Sequence, residues 1–431
     1  MQPPPDTAPK PHPVAGLTGC FTVPGNRSVS HLALILGALA AGTTTITGLL
    51  EAPDVLRTVA AMRALGATVE KAADGSWRVA GRGIGGLVEP HDVLDMGDAA
   101  GAAPLLCGLL AGHPMLAVVT GDAALRQQPM RQVMDALAAT GARFASRTGG
   151  RLPLVVEGVA EPLPLDTALP AAFAELKTAC LLAGLCARGT TRVREPAGSP
   201  DDAEHLLRHF GATVRVSPDG PGRLVELDGQ PELVAATVAV PGDAFAAAVL
   251  VVAALLVPGS AITLRHVGLN PHYAGLFQAL REMGAEIMAE DPRPSCGMPV
   301  ADLHVRASAL RGIDVAAGHA ADAAPLLAAA AACARGTTRL RGLDDASAIA
   351  AMLAAAGIRH EVEGRDLLVH GSGVPPEGGG LVETRMDHRL ALSALVLGLA
   401  ARRPLRIDDS ACIEAAFPGF TRLIETSAGR A

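Results

Sequence analysis

Aromatic and lysine side chains are scarce in this sequence of 431 residues. Aromatic residues make up 2% of it, with one Trp and one Tyr, so the chain lacks the ring platforms on which proteins stack bases. Its formal net charge of −7 also argues against nucleic acid and against an anionic membrane surface, and we expect neither as a partner. Because lysine occurs only at Lys10, Lys71 and Lys177, any site for an anion must be built largely from arginine.

Cysteine pairs and long apolar runs are also missing. The seven cysteines are scattered without a C-x-x-C pair or a Cys/His cluster, so we expect no metal, and no motif requires a cofactor. Their odd number favours a reducing compartment, which predicts a cytoplasmic protein. The apolar runs near 245–257 and 326–334 are too short to span a bilayer. Residues 1–13 are rich in proline and lack an apolar core, so we expect a disordered tail and no signal peptide.

The chain is built from an internal repeat. An apolar helix, a turn with glycine and a β-branched strand recur, as in LALILGALAAGTTTITGLL at 32–50 and LLAGLCARGTTRVREP at 181–196. The turn glycines are Gly42, Gly112, Gly189, Gly259 and Gly336, and a weaker sixth copy turns near Arg403. Between the copies lie a second helix that ends in glycine and a further strand. The pattern predicts six β-α-β-α-β-β units of about 70 residues, which favours two α/β domains of three repeats each.

The phrase Val-Pro-Gly marks two points where the chain is expected to pass between these domains. It occurs at 23–25 and at 240–242, about three repeats apart. We expect one domain at 24–240 and a second made of 14–23 plus 241–431. A cleft between two such domains is the usual place for a small ligand, and we expect the protein to be a monomer.

The segment VPGNRSVSH at 23–31 resembles the PG-[SD]-K-S-[IV]-S-[NH]-R signature of the EPSP synthases (5-enolpyruvylshikimate-3-phosphate synthases). Further matches follow in the same order along the chain: LDMGD (94–98), TGDAAL (120–125), ELKTACLLAGL (175–185), VPGDAFAAA (240–248), DHR (387–389) and FPGF (417–420). The resemblance implies the enolpyruvyl-transferase fold, an inside-out α/β barrel in two domains. It also implies transfer of a carboxyvinyl group from phosphoenolpyruvate to 3-phosphoshikimate, a step of aromatic amino acid biosynthesis, with small anionic substrates.

Five residues match positions that the resemblance implies to be functional. Ser28 and Ser199 match serines that bind the substrate, Asp322 matches the general base, and Arg389 matches a cation that anchors the substrate. Arg27 stands where the family has lysine, and an arginine keeps the charge but cannot shuttle a proton near neutral pH. Each serine also has a structural interpretation, Ser28 as a helix N-cap and Ser199 as part of a β-turn, and Asp322 could equally cap the next helix.

Other positions of the implied substrate site are altered. Asp98 replaces an Asn, Glu175 replaces a Gln, and Leu32 replaces an Arg that grips the shikimate carboxylate. Gln128 stands where an Arg precedes proline, and Arg126 would lie on the same strand face as Gln128 if that stretch were extended. We expect Asp98, Arg126, Gln128 and Glu175 to lie in the substrate site.

The largest departure follows the turn GTTRLRGL (336–343). The family has a segment like R-V-K-E-[ST]-D-R there, whereas Gly342-Leu343-Asp344-Asp345-Ala346 leads straight into a helix, and Ala415 replaces a C-terminal lysine. Each lost charge-assisted contact is worth about 1.5–3 kcal/mol. The sequence therefore predicts a carboxyvinyl transferase with an altered substrate or altered chemistry. Two alternatives stay open: a lyase or dehydratase on a shikimate-type ring with Asp322 as base, and a binding protein without catalysis.

Overall fold

The computed structural model describes residues 16–171, 173–196, 198–316 and 323–427. Two compact units make up the chain. Unit 1 comprises Met1–Pro24, Gly242–Arg293 and Pro299–Ala431, and unit 2 comprises Gly25–Pro241 and Pro294–Met298. The sequence prediction places residues 294–298 in the same domain as the rest of 241–431, because no motif distinguishes them. The expected tail at 1–13 and the expected base Asp322 lie outside the described residues.

The helices alternate between two kinds in both units. Unit 2 contains α1 (Arg27–Leu39), α2 (Pro53–Ala64), α3 (Ala102–Ala111), α4 (Arg131–Ala138), α5 (Ala174–Gly184) and α6 (Asp202–His209). Unit 1 contains α7 (Ala244–Leu256), α8 (Pro271–Glu282), α9 (Ala324–Cys333), α10 (Ser347–Ala355), α11 (His388–Ala400), α12 (Ala411–Ala416) and α13 (Phe420–Ser427). The odd-numbered helices up to α11 belong to the apolar pattern of the repeat, and the even-numbered ones are shorter or more polar.

The apolar helices form the centre of each unit. A helix that is apolar on all sides has to lie inside the protein, and every residue of α3 is buried. In unit 1, α7, α9 and α11 pack against one another. In contrast, α6 carries charged residues at both ends and buries mainly one face. The helices that follow the first strand of each repeat therefore build the core.

Three four-stranded sheets surround the core of unit 2. Their strands are β2 (Thr43–Thr47), β3 (Thr68–Lys71), β4 (Trp77–Ala80), β5 (Leu94–Asp95), β6 (Leu116–Thr120), β7 (Arg143–Arg147), β8 (Arg151–Glu157), β9 (Asp166–Ala168), β10 (Thr190–Glu195), β11 (Val214–Asp219), β12 (Gly222–Asp228) and β13 (Thr237–Ala239). The strand orders are β13-β2-β4-β3, β5-β6-β8-β7 and β11-β12-β10-β9. Each sheet joins one parallel pair to an antiparallel hairpin.

The strands of unit 1 follow the same plan with one exception. They are β1 (Thr18–Thr22), β14 (Ala261–Gly268), β15 (Glu286–Ser295), β16 (Met298–Arg306), β17 (Asp314–Ala316), β18 (Arg335–Arg341), β19 (His360–Glu363), β20 (Asp366–Ser372), β21 (Leu381–Val382) and β22 (Arg406–Ile407). Two sheets have the orders β1-β14-β16-β15 and β17-β18-β20-β19, while β21 and β22 form a two-stranded sheet. Within the described residues the sixth repeat ends in α12 and α13, so its predicted final hairpin is replaced by helices.

One sheet in each unit is completed by a strand from a distant part of the sequence. β1 pairs in parallel with β14, with Thr18 opposite Ala261, and β13 pairs in parallel with β2, with Thr237 opposite Thr45. The glycines expected after the second helix of a repeat have the left-handed backbone that such a cap requires, with φ of 94° at Gly66. No helix among the described residues is long and apolar enough to cross a membrane.

Candidate functional site

The first candidate residues lie at the N-terminus of α1. Asn26 is the N-cap, and its side chain accepts a hydrogen bond of 3.0 Å from the backbone N–H of Val29. The interpretation of Ser28 as the N-cap is therefore wrong: Ser28 lies in the first turn and is exposed. An exposed hydroxyl beside the free amides of a helix N-terminus is suited to an anionic ligand.

Arg27 forms an ion pair with a carboxylate that belongs to none of the sequence motifs. Its Nη1 donates to Oδ2 of Asp54, near the start of α2. Asp54 is 3% exposed, and His31 Nε2 lies 3.5 Å from the same oxygen while His31 Nδ1 pairs with Thr58 Oγ1 at 2.8 Å. Burial works to raise the pKa of Asp54, but the hydrogen bond with His31 and the charge of Arg27 outweigh it and hold that pKa below its ordinary value. The carboxylate is therefore charged, and it offsets the charge of Arg27.

α2 also contacts the turn that contains Asp98. Arg57, one turn beyond Asp54, donates from Nη1 to Asp95 Oδ2 at 3.1 Å, and Asp95 Oδ1 accepts from the N–H of Gly97 at 2.9 Å. Asp98 follows and is exposed. α2 thus contacts Arg27 through Asp54 and contacts the turn before Asp98 through Arg57.

The stretch with Arg126 and Gln128 is not extended. Leu125–Gln127 form a short 3₁₀ helix, because Asp122 Oδ1 accepts from the N–H of Leu125 at 2.7 Å and so starts a turn. The condition under which Arg126 would share a strand face with Gln128 is therefore not met. Both side chains are exposed. They lie in a turn that is capped by an Asp side chain, so side chains there do not alternate between two faces as they do in a strand.

Glu175 lies in the first turn of α5 and is partly exposed, whereas Lys177, two residues later, is completely buried. The Lys177 ammonium donates to Glu204 Oε1 at 2.7 Å and to the backbone carbonyl of Pro200 at 2.8 Å. It also lies 3.7 Å from Glu195 Oε2. A buried ammonium is tolerated only with such partners.

Ser199 belongs to the same buried cluster. It is 2% exposed, and its hydroxyl donates to Glu195 Oε2 at 2.5 Å. Arg223 donates from Nη2 to Glu195 Oε1 at 2.6 Å and to the backbone carbonyl of Ser199 at 2.7 Å. In this structure the Ser199 hydroxyl therefore bonds to a protein carboxylate. The sequence signal for this cluster is a lysine inside an apolar helix, at Lys177 in ELKTACLLAGL.

The segment that leads from Ser199 into α6 contains an ion pair that depends on pH. His205 Nε2 lies 3.4 Å from Asp201 Oδ2. The hydrogen bond with His205 lowers the pKa of Asp201 to about 2, and the same bond raises the pKa of His205.

We expect His205→Gln to destabilise the protein more near pH 5 than near pH 8. The pair stabilises the fold fully above the ordinary pKa of Asp, 3.8, and below that of His, 6.5. The contribution is lost as the pH rises through the raised pKa of His205 in the folded state. Urea unfolding at both pH values measures this. An equal effect at the two pH values would contradict the pairing.

Arg389 is the candidate cation of unit 1. It is the second residue of α11, whose N-cap Asp387 accepts from the N–H of Arg389 at 2.8 Å. The Arg389 Nε lies 3.6 Å from Asp387 Oδ1, and its side chain is 39% exposed. Two residues with positive φ, Arg385 and Met386, precede the cap. The guanidinium is therefore at a helix N-terminus, close to a carboxylate.

A short acidic turn joins β18 to α10. β18 ends at Arg341 and α10 begins at Ser347. Asp345 accepts from the N–H and the hydroxyl of Ser347 at 2.8 and 3.0 Å, and Asp344 pairs with Arg365. Asp345 thus has the structural role of starting α10, as expected for an acidic residue before a helix.

The comparisons with known proteins agree with one another. A family model described as EPSP synthase (3-phosphoshikimate 1-carboxyvinyltransferase) matches residues 11–424. A protein of Granulibacter bethesdensis named 3-phosphoshikimate 1-carboxyvinyltransferase is 57% identical, over 96% of this chain and 94% of its own length.

The chain belongs to the EPSP synthase family.

Further relatives extend this result to the fold. A 3-phosphoshikimate 1-carboxyvinyltransferase of Acidiphilium cryptum is 55% identical over 96% of this chain and 95% of its own. The structure of an EPSP synthase from Acinetobacter baumannii superposes with a TM-score of 0.90 at 34% identity, covering 97% of each chain. The family and the enolpyruvyl-transferase fold predicted from the sequence are confirmed.

In this member of the EPSP synthase family, five cations among or beside the candidate residues face carboxylates of the same chain, whereas no ion pair joins the exposed Arg126 to a carboxylate of the described residues. The pairs are Arg27 with Asp54, Arg57 with Asp95, Lys177 with Glu204, Arg223 with Glu195, and Arg389 with Asp387. Any anionic ligand near these groups meets a charge that is already balanced. The buried partners of Lys177 and Arg223 are fixed, whereas Arg27 and Arg389 are more than a third exposed.

Proposed function

We propose that this protein acts on a small anionic molecule of the shikimate type that carries less negative charge than phosphoenolpyruvate together with 3-phosphoshikimate. The proposal includes a change of chemistry, since ordinary carboxyvinyl transfer needs cations for two phosphates and two carboxylates and an acid near the enol carbon. The relatives are named 3-phosphoshikimate 1-carboxyvinyltransferase. This chain belongs to their family, and its departures from the family motifs are the ground for the proposal.

The observation that carries the proposal is the turn between β18 and α10. Only residues 342–346 lie between the two elements, and the resemblance implies a longer segment there with a lysine, a glutamate and an arginine. The turn holds Asp344 and Asp345, and Asp345 is used to start α10. Two carboxylates in place of cations disfavour a phosphate at this point by like-charge repulsion.

The residues of unit 2 support the same conclusion. Leu32, where the resemblance implies an arginine for the shikimate carboxylate, is 3% exposed within the apolar core, so this position offers no donor. The Ser199 hydroxyl bonds to Glu195, and the exposed Asp98 adds negative charge to the end of α2. Arg27 and Ser28 remain as the groups of α1 suited to a single anionic group.

Calorimetric titration with shikimate and with 3-phosphoshikimate tests the proposal. We expect the two affinities to agree within about threefold, because the cations Arg27, Lys177 and Arg389 already face carboxylates and so reward an extra phosphate less. The EPSP synthase of Acinetobacter baumannii is the control, and there we expect a preference for 3-phosphoshikimate of more than about tenfold. A similar preference in this protein would contradict the proposal, and absence of binding by both ligands would refute a shikimate-type substrate.

Two narrower hypotheses stay predictions. The lyase or dehydratase depends on Asp322, and the binding protein without catalysis depends on ligand-induced closure. Comparison of products from shikimate-derived candidates between wild type and Asp322→Asn distinguishes them, since equal turnover would remove Asp322 from the reaction. The expected compartment is the cytoplasm, on the cysteine pattern of the sequence alone.

A further inference from the structure

The β7–β8 hairpin of unit 2 has one paired end and one unpaired end. At the open end, Arg143 in β7 donates to Glu157 in β8 at 2.5 Å. At the turn end, Arg147 lies opposite Arg151 in the register of the two strands, and both are exposed. Two like charges directly opposite each other destabilise a hairpin. At the turn end two positive charges therefore repel each other, whereas at the open end a positive charge faces a negative one.

A third arginine lies against the same turn. The N–H of Met130 donates to the carbonyl of Gly150 at 2.7 Å, which brings the first residue of α4, Arg131, to the turn. A Cβ added at Gly150 would lie 3.1 Å from Arg131 Cβ, and one at Gly149 would lie 3.8 Å from Arg151 Nε. We call Arg131, Arg147 and Arg151 the arginine patch.

The arginine patch lacks carboxylate partners of its own. Among the described residues no ion pair joins Arg131, Arg147 or Arg151 to an acidic side chain, although the chain has 43 acidic residues against 36 basic ones. Asp135 lies one turn along α4 from Arg131 and is also exposed, yet the two do not pair. All three guanidinium groups are thus exposed and available in a protein where many other arginines are paired.

We propose that the arginine patch docks a short acidic segment of another protein. A guanidinium presents a planar fork that matches a carboxylate, and arginine is the cation enriched at protein interfaces. The patch is confined to one hairpin end of a chain with net charge −7. A long nucleic acid would extend beyond it along a chain whose net charge is negative and which has few aromatic rings, whereas a segment with a few carboxylates matches the size and charge of the patch. The patch shares no residue with the predicted substrate site, although Arg151 forms an isolated β-bridge with Pro129, the residue after Gln128. The peptide assay does not require the proposed function.

Fluorescence anisotropy with a labelled short peptide of alternating Asp and Glu tests the proposal. In about 50 mM salt, where charge screening is modest, we expect the wild-type protein to bind the peptide. The variant Arg131→Gln/Arg147→Gln/Arg151→Gln should bind it about tenfold more weakly, because three exposed charge contacts are lost. All three side chains are exposed, so an unchanged urea midpoint is expected to show that the variant folds.

The matched control is Arg188→Gln/Arg306→Gln/Arg406→Gln, which changes the net charge equally at exposed arginines elsewhere. We expect it to weaken binding by less than about threefold, as a general charge effect. An equal loss in both variants, or no binding by the wild type, would overturn the proposal. A single-stranded oligonucleotide of the same charge that binds the patch more tightly than the peptide would also overturn it.

Discussion

Replacing Lys177 by Met is expected to lower the free energy of unfolding by about 3–5 kcal/mol, because the change leaves buried carboxylates without their partner. Lys177 is completely buried between Glu204, Glu195 and the carbonyl of Pro200. With Arg223 the cluster holds two positive and two negative charges and is neutral. Without Lys177 one negative charge is left in excess, and Glu204 loses its cation.

Urea unfolding followed by tryptophan fluorescence measures this effect in unit 2, which contains both the cluster and the tryptophan. Trp77 is the single tryptophan of the chain and lies in β4 of unit 2, 7% exposed. The control is Arg143→Met, which breaks an ion pair whose arginine side chain is 77% exposed, and its midpoint should equal that of the wild type. Adding Glu204→Gln to Lys177→Met should recover part of the loss, since the excess charge is then removed. A midpoint of Lys177→Met that matches the control would show that the cluster does not bind the ammonium as described.

Replacing Gly108 by Ala is expected to cost about 3 kcal/mol, near the upper end of the usual range for an overpacked core. Gly108 lies in α3 where that helix packs against α5. A Cβ there would meet the carbonyl oxygen of Ala179 at 2.2 Å and its carbonyl carbon at 2.7 Å. Both atoms are backbone, so only a movement of one core helix relieves the clash, and protein interiors resist such movement.

Gly101 offers the matched control, because it precedes the same helix and has no heavy atom within 4 Å of an added Cβ. Its φ of −72° and ψ of −31° suit alanine, so Gly101→Ala should leave the stability unchanged or raise it by up to about 1 kcal/mol. Calorimetric or urea unfolding of the two variants gives the comparison. If Gly108→Ala were as stable as Gly101→Ala, the close packing of α3 on α5 would be refuted.

Much of the fold was predictable because the repeat of apolar helix, turn and strand, together with the turn glycines, is visible in the sequence. The recurring glycine turn followed by a strand indicates six repeats, and the order of the motifs along the chain indicates the family. The sequence predicted that residues 342–346 lead straight into a helix, and they form the turn between β18 and α10. The sixth repeat was the weakest in the sequence, and it is the one in which the described residues lack the final hairpin.

The candidate site was less predictable because its contacts join residues far apart in sequence. Asp54 has no motif of its own, yet it meets Arg27 from another helix. Glu195 looked like the end of a strand, and only the fold brings it to Lys177 and Ser199. The sequence left the conformation around Arg126 open, because an Asp-capped 3₁₀ turn has no periodic pattern of side chains. Local patterns predict elements, whereas ion-pair partners require tertiary structure.

We propose that this member of the EPSP synthase family lacks charges that ordinary carboxyvinyl transfer requires. The most direct test is release of inorganic phosphate when the protein is mixed with phosphoenolpyruvate and 3-phosphoshikimate, beside the EPSP synthase of Acinetobacter baumannii under the same conditions. We expect phosphate release by this protein to be at least about a thousandfold slower, since the loss of several transition-state contacts multiplies tenfold for each 1.4 kcal/mol. Release at a rate within about tenfold of the control enzyme would contradict the account.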